Sequence, residues 1–363
     1  MITRTLVRTL LIGLIPALAA TSFAAEPENN RGRDRGRHNV TTFDWENLDS
    51  DIGGAAELKD PNVVNPWGIA VSSSGLVWVA DNGAGVATVY FSDGRPFPNS
   101  ANRLVVTIPP SATNTEGANP TGIVANNTQF FKVSNGTNSL PAQFIFVSED
   151  GMISGWNQQL SNTQAFVALD NGANGAVYKG ATLGFVGGHN FLYVTNFHSG
   201  AVETYDENFV LQAGFPFADP NLPVGFAPFG IRNLNGQIYV TYAMQDNPAD
   251  AHDDVPGPGN GFVDVFNLNG QLVKRLVSNG ALNSPWGLEI VQGLLWVGNF
   301  GDGRINVYGP NNGNFQGSPK DTFGNPLQFD GLWALVFGNQ GLYFSAGIVG
   351  EEHGIFGVIF PDF

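Results

Sequence analysis

The chain contains no cysteine. That absence excludes disulfides, thiolate metal sites and a cysteine nucleophile, so stability has to come from burial and hydrogen bonding. Positive charge is also scarce: 16 Lys and Arg stand against 31 Asp and Glu in 363 residues, a formal net charge of −15. Six of those arginines and three of the acids lie in residues 1–39, which leaves 10 basic against 28 acidic side chains in the remainder. A domain carrying −18 repels nucleic acid and anionic membrane and concentrates cations at its surface. After residue 25 no apolar run approaches the roughly 18 residues of a membrane span. There is no sustained helical periodicity, no G-x-S-x-G elbow, no Walker loop, no H-E-x-x-H and no G-x-G-x-x-G opening a helix.

The first 25 residues place Arg4 and Arg8 before an apolar run, LLIGLIPALAA, and close on small residues. This is the layout of a secretory signal peptide, with cleavage expected after Ala24 or Ala25 and a periplasmic or extracellular product. Residues 26–40 follow as a linker in which four arginines alternate with Gly, Asp and His, and no side chain there builds a core.

From residue 41 the sequence becomes repetitive. The clearest unit is SPWGLEIVQGLLWVGNFGDGRINVY, residues 284–308, and its opening recurs as NPWGIAV, NPTGIVA, YKGATLG, APFGIRN and FDGLWAL. The shared glycines are Gly68, Gly122, Gly180, Gly230, Gly287 and Gly331, at spacings of 54, 58, 50, 57 and 44. Six units of that length, each with several short strands and tight Gly-rich turns, predict an all-β, six-bladed β-propeller of four-stranded antiparallel blades. TTFDWENL precedes the first unit as a lone strand, and the sixth unit runs out after about three. The N-terminal strand is therefore expected to complete the last blade and close the ring over residues 41–363. Trp67 and Trp286 share one repeat position and Trp78 and Trp296 another, which predicts packing between blades.

In such a blade the turn between strands two and three opens beside the central channel. Those turns supply Asp81 and Asn82, Glu149 and Asp150, Asn196 and His198, Asp246 through Asp254, Asn299 and Asp302, and Glu351, Glu352 and His353. The fourth is far longer than a hairpin requires, and residues 244–261 form a loop with Asp246, His252, Asp253 and Asp254. His198, His252 and His353 come from blades three, four and six, and three imidazoles at one mouth would suit a transition metal. The carboxylates would alternatively suit Ca²⁺.

The motifs NPWGIAVS, WVADNG, SEDGMISGW, GAVYKGATLG, DPNLPVGFAPFGI, HDDVPGPGNGFVDVFNLNG, LNSPWGLE, VGNFGDGRIN and DGLWAL run from residue 47 to 360. On them the chain resembles the NHL-type six-bladed propellers. More closely, it resembles a family of uncharacterised exported bacterial proteins, some with PEP-CTERM sorting tails. The resemblance implies the propeller fold and no particular reaction. The ending FPDF has no hydrophobic tail, so the sorting role is not implied.

Two functional readings stand. One is a monomeric binding scaffold that engages a small molecule, glycan, protein or cation through Asp81, Asn82, Asp150, Asn196, Asp246, Asp253, Asn299 and Asp302. The other is a metal-dependent hydrolase or lyase, with His198, His252 and His353 as ligands and Glu149, Asp254 or Glu352 as general base.

Overall fold

A computed structural model describes residues 42–247 and 251–361. The signal peptide and linker expected over residues 1–40 lie outside the described residues. No helix among the described residues is long and apolar enough to cross a membrane.

The strands fall into six antiparallel sheets arranged as propeller blades. Blade one comprises Pro66–Val71, Val77–Asp81, Val86–Tyr90 and Val105–Thr107, ordered from the axis outward. Blade two has Pro120–Ala125, Phe144–Ser148, Met152–Trp156 and Phe166–Asp170, with an inserted hairpin, Lys132–Ser134 and Ser139–Pro141. Blade three pairs Tyr178–Val186, His189–Asn196 and Ala201–Tyr205 and has an isolated bridge, Tyr205 to Leu211, where a fourth strand would lie. Blades four and five are four-stranded, beginning at Phe226–Leu234 and Pro285–Val291.

Blade six closes the ring as the sequence indicated. Its three late strands, Leu332–Phe337, Leu342–Ala346 and Ile355–Pro361, are completed by the N-terminal strand Phe43–Ser50, paired antiparallel from Phe43 opposite Pro361 to Ser50 opposite Ile355. The seam is clasped from both sides: Ser50 Oγ donates to the Gly354 carbonyl at 2.7 Å, and the Asp51 carboxylate meets His353 Nδ1 at 2.6 Å and the Gly354 amide at 2.9 Å.

Close approach of the six inner strands explains the recurring glycine. A Cβ on Gly68 would sit 2.4 Å from the Thr121 carbonyl oxygen of the next blade, and one on Gly287 would sit 2.5 Å from that of Trp333. The same register puts the sixth repeat position at Ala334, three residues after the Gly331 that the sequence suggests. Gly331 is a left-handed turn residue (φ 63°), whereas the Ala334 amide makes the contact of the repeat position, donating to Ser345 Oγ at 3.0 Å as Gly230 donates to Thr241 Oγ1 at 2.8 Å.

Trp78 and Trp296 pack between blades as expected: Trp78 stacks on Phe144 of blade two, with centroids 4.1 Å apart, and Trp296 meets Phe43 at 5.0 Å. Trp67 and Trp286 also pack between blades, but at the axis. The repeat position before the inner glycine points at the axis, so Trp67, Phe229, Trp286 and Trp333 meet one another across the channel. Trp67 and Trp333 stack at 3.4 Å, and Trp286 lies edge-on to both. Phe300 stacks on Trp333 at 4.0 Å. These rings form an apolar layer across the axis. Beyond them, toward the opposite face, is a cavity of about 480 Å³ whose lining includes Val71, Ala125, Leu183, Arg232 and Phe337.

Candidate functional site at the channel mouth

Above the aromatic layer the side chains turn polar. Lys179 occupies the same inner-strand position as Trp67 and Phe229, and its ammonium lies 5.2 Å from the Trp67 ring centroid and 5.6 Å from that of Phe197. It is buried, 2 % exposed, and ion-paired with Glu149 Oε1. Burial of a lysine requires such a partner, because an unpaired ammonium in an apolar layer carries a penalty of several kcal/mol.

Glu149 is the hub. Its second oxygen, Oε2, accepts Asn82 Nδ2 at 2.9 Å, and Asn82 Oδ1 is approached by Asn65 Nδ2 at 3.4 Å. Asn65 Nδ2 also donates to Glu351 Oε1 at 3.1 Å, and Asn65 Oδ1 accepts Trp333 Nε1 at 3.1 Å. Asn65 adopts φ 44°, a left-handed conformation that asparagine tolerates better than most residues and that sets its amide facing the mouth. Burial pushes the Glu351 carboxyl up to about 7, and the negative charges of Glu149 and Asp254 add to the effect.

The long blade-four loop delivers the rest. It folds back as a hairpin, with the Asp246 amide donating to the Asp253 carbonyl at 2.9 Å and the Val255 amide to the Met244 carbonyl at 2.8 Å. Gln245 Nε2 ties its base to the Phe197 carbonyl of blade three at 2.6 Å. This geometry brings His252 and Asp253 over Glu149. Each of the three offers one ligand atom, and those atoms lie within 4.8 Å of one another; no other group of three or more His, Cys, Asp or Glu among the described residues meets that condition. His252 Nδ1 lies 2.9 Å from Asp253 Oδ1. That hydrogen bond raises the imidazole pKa and holds the Asp253 carboxyl below its usual range. Burial pushes Asp254 up to about 6, with the Ser284 hydroxyl beside the carboxyl and the charge of Lys179 opposing the shift.

The three histidines do not share this group. His353 is turned to Asp51 at the ring seam, and His198 lies beside Gly175, where an added Cβ would be 3.6 Å from His198 Nε2. Several other mouth candidates face into their own blades because they end strand two on its buried side. Asp81 accepts Thr88 Oγ1 at 2.8 Å, Asn196 donates to Glu203 at 2.8 Å, and Asn299 donates to Asp302 at 3.0 Å. Asp302 also accepts the Arg304 amide at 3.2 Å, which makes it a turn residue. Asp150 holds the Ser111 amide at 2.7 Å in the connection from blade one to blade two. Asp246 and Glu352 are exposed. Of the sequence candidates, then, Asn82, Glu149, His252, Asp253 and Asp254 gather at the mouth with Glu351. Lys179 and Asn65 were not anticipated.

Comparison with known proteins supports the architecture. The NHL repeat model matches residues 64–85. Uncharacterized protein R648 of Acanthamoeba polyphaga mimivirus is 31% identical over 340 residues, covering 90% of this chain and 82% of its own length. Uncharacterized protein L690 of the same virus is 31% identical over 342 residues, with 90% and 88% covered. The chain belongs to their family. Among solved structures, a streptogramin B lyase superposes with a TM-score of 0.52 at 14% identity, covering 90% of this chain and all of that one, a likeness that extends to the propeller fold.

Proposed function

We propose that this family member is a ligand-binding propeller that works at the channel mouth. One observation carries the reading: Asn82, Glu149, Lys179, His252 and Glu351, from five blades, converge over an aromatic floor, so the mouth is a cup with a closed base. A structural channel filler has no need of this many half-buried charges, which cost desolvation free energy. Four carboxylates, Glu149, Asp253, Asp254 and Glu351, against one lysine favour a ligand that is cationic or rich in hydroxyl groups, such as an amine-bearing small molecule, a glycan or a lysine-bearing segment of a protein. The signal-peptide layout of residues 1–25 supports an exported setting for that encounter.

The test is calorimetric titration against glycan and polyamine panels. A ligand whose binding weakens at least tenfold in Glu351→Gln supports the cup. Binding that survives Glu351→Gln and Asp253→Asn together would move the interaction elsewhere.

A second reading, a hydrolase or lyase at the same mouth, is favoured by Glu351. A carboxyl with a pKa of about 7 is near the optimum for proton transfer at neutral pH. Turnover of esters, lactones or cyclic peptides that disappears in Glu351→Gln, with its basic pH limb shifted in Asn65→Ala, would support catalysis over binding alone.

A further inference from the structure

Resting on the cup described above, we propose that Glu149, His252 and Asp253 bind one first-row divalent cation of the Mn²⁺ and Zn²⁺ class. Ligand atoms mutually within 4.8 Å can share one ion at bond lengths of about 2.0–2.4 Å. The donor set decides the class. One imidazole with two carboxylates suits a first-row metal, whereas Ca²⁺ prefers six to eight oxygens and gains little from nitrogen.

The contact of His252 with Asp253 already sets two of the three ligands side by side, with Nδ1 2.9 Å from Oδ1. An ion that takes the Nδ1 lone pair and the Asp253 carboxylate displaces the proton these two groups share. Asp254, buried next to this pair with the Ser284 hydroxyl beside its carboxyl, adds negative charge to the neighbourhood. Lys179 works in the opposite direction. Its ammonium already engages Glu149 Oε1, so it repels a second cation and weakens the site.

That opposition makes the proposal testable in two directions. The full chain, stripped with chelator, is titrated with Mn²⁺ and followed by electron paramagnetic resonance, then with Ca²⁺ in competition. The expected result is one saturable Mn²⁺ per chain, an affinity at least tenfold weaker in His252→Ala and in Asp253→Asn, Ca²⁺ at least tenfold weaker than Mn²⁺, and several-fold tighter Mn²⁺ binding in Lys179→Met. His252 and Asp253 are 43 % and 72 % exposed on a loop, so both variants should fold, and a thermal melt checks this. No saturable site, a site indifferent to both loop substitutions, or a preference for Ca²⁺ would overturn the assignment. Ligand binding lost in Glu351→Gln without any metal site would remove the cation and leave the cup. A metal site without any ligand would do the reverse.

Discussion

Lys179 and Glu149 form an ion pair between blades three and two that is almost fully withdrawn from solvent, 2 % and 12 % exposed. The pair asymmetrically stabilises the fold. Removing the acid leaves an ammonium among Trp67, Phe197 and Phe229 with no carboxylate, whereas removing the base leaves an acid that Asn82 still satisfies. Glu149→Gln should therefore cost about 3–5 kcal/mol, the usual consequence of stranding a buried charge. Lys179→Met, which keeps the apolar stem among the rings, should cost less than about 1 kcal/mol or stabilise. Urea unfolding of both variants checks the sign; equal losses would mean that the pair is worth its gross attraction and that the aromatic surroundings do not matter.

A second set of buried acids controls how stability varies with pH. Asp49 is fully buried on the closing strand, neither carboxylate oxygen has a hydrogen-bond partner, and burial with the nearby charge of Asp60 pushes its pKa to about 7. Asp264 in blade four is pushed to about 7 by burial and by Asp219, despite Arg275 alongside. Both values are raised above the unfolded ones, so the folded state holds protons that the unfolded state has released. The stability these groups contribute is fully present at low pH, falls as pH rises from about 4 to 7, and levels off above that, by up to about 1.4 kcal/mol per pH unit for each group. Asp49→Asn should flatten this decline and raise the melting temperature at pH 7.5 more than at pH 5. A pH profile unchanged by the substitution would show that Asp49 titrates normally.

The architecture was legible in the sequence because close packing at the axis forces a small residue at one position per blade, and that constraint recurs along the chain. It failed once, where Ala334 fills the position and the nearby Gly331 serves a turn instead. The site was harder to read for a related reason. Strand alternation, not proximity to the turn, decides whether a polar side chain reaches the axis, so Asp81, Asn196 and Asn299 ended inside their blades. Lys179 did leave a signal: it is a charge at a repeat position that elsewhere carries Trp67, Thr121, Phe229, Trp286 and Trp333. What no local pattern encodes is the fold-back of the blade-four loop, which depends on backbone bonds such as Asp246 to Asp253 and on Gln245 reaching blade three.

Ring closure predicts a cooperative loss. The strand Phe43–Ser50 buries Phe43 and Leu48, pairs along the length of Ile355–Pro361, and carries the Ser50 clasp onto Gly354. Deleting residues 1–50 exposes the edge of blade six and opens the seam to blade one at once. The truncated chain should lose its sharp melting transition and elute partly as aggregate on size exclusion. A synthetic peptide spanning residues 41–52, added in trans, should recover part of the transition. A truncated chain that melts as the intact one does would place closure elsewhere.

Crowding of the inner strands at the axis gives the last prediction, because two equivalent positions, Gly230 and Ala334, should each favour the residue already there. At Gly230 an added Cβ would lie 2.0 Å from the Trp286 carbonyl oxygen, a backbone atom held by its own blade, and 3.0 Å from Thr241 Oγ1. Gly230→Ala must push two inner strands apart, and the cost should reach the upper end of the roughly 1–3 kcal/mol typical of overpacking, or exceed it. At Ala334 the native structure already accommodates a methyl group, buried to 1 % exposure. Ala334→Gly there removes apolar contact and adds backbone freedom to the unfolded chain, which should cost about 1 kcal/mol. Chemical unfolding of the two single variants and the double variant separates the cases: the costs should add, since the positions lie in blades four and six. If Gly230→Ala proved as mild as the reverse change at Ala334, the inner strands would have room to spare, and the recurrence of glycine along this chain would need a cause other than crowding at the axis.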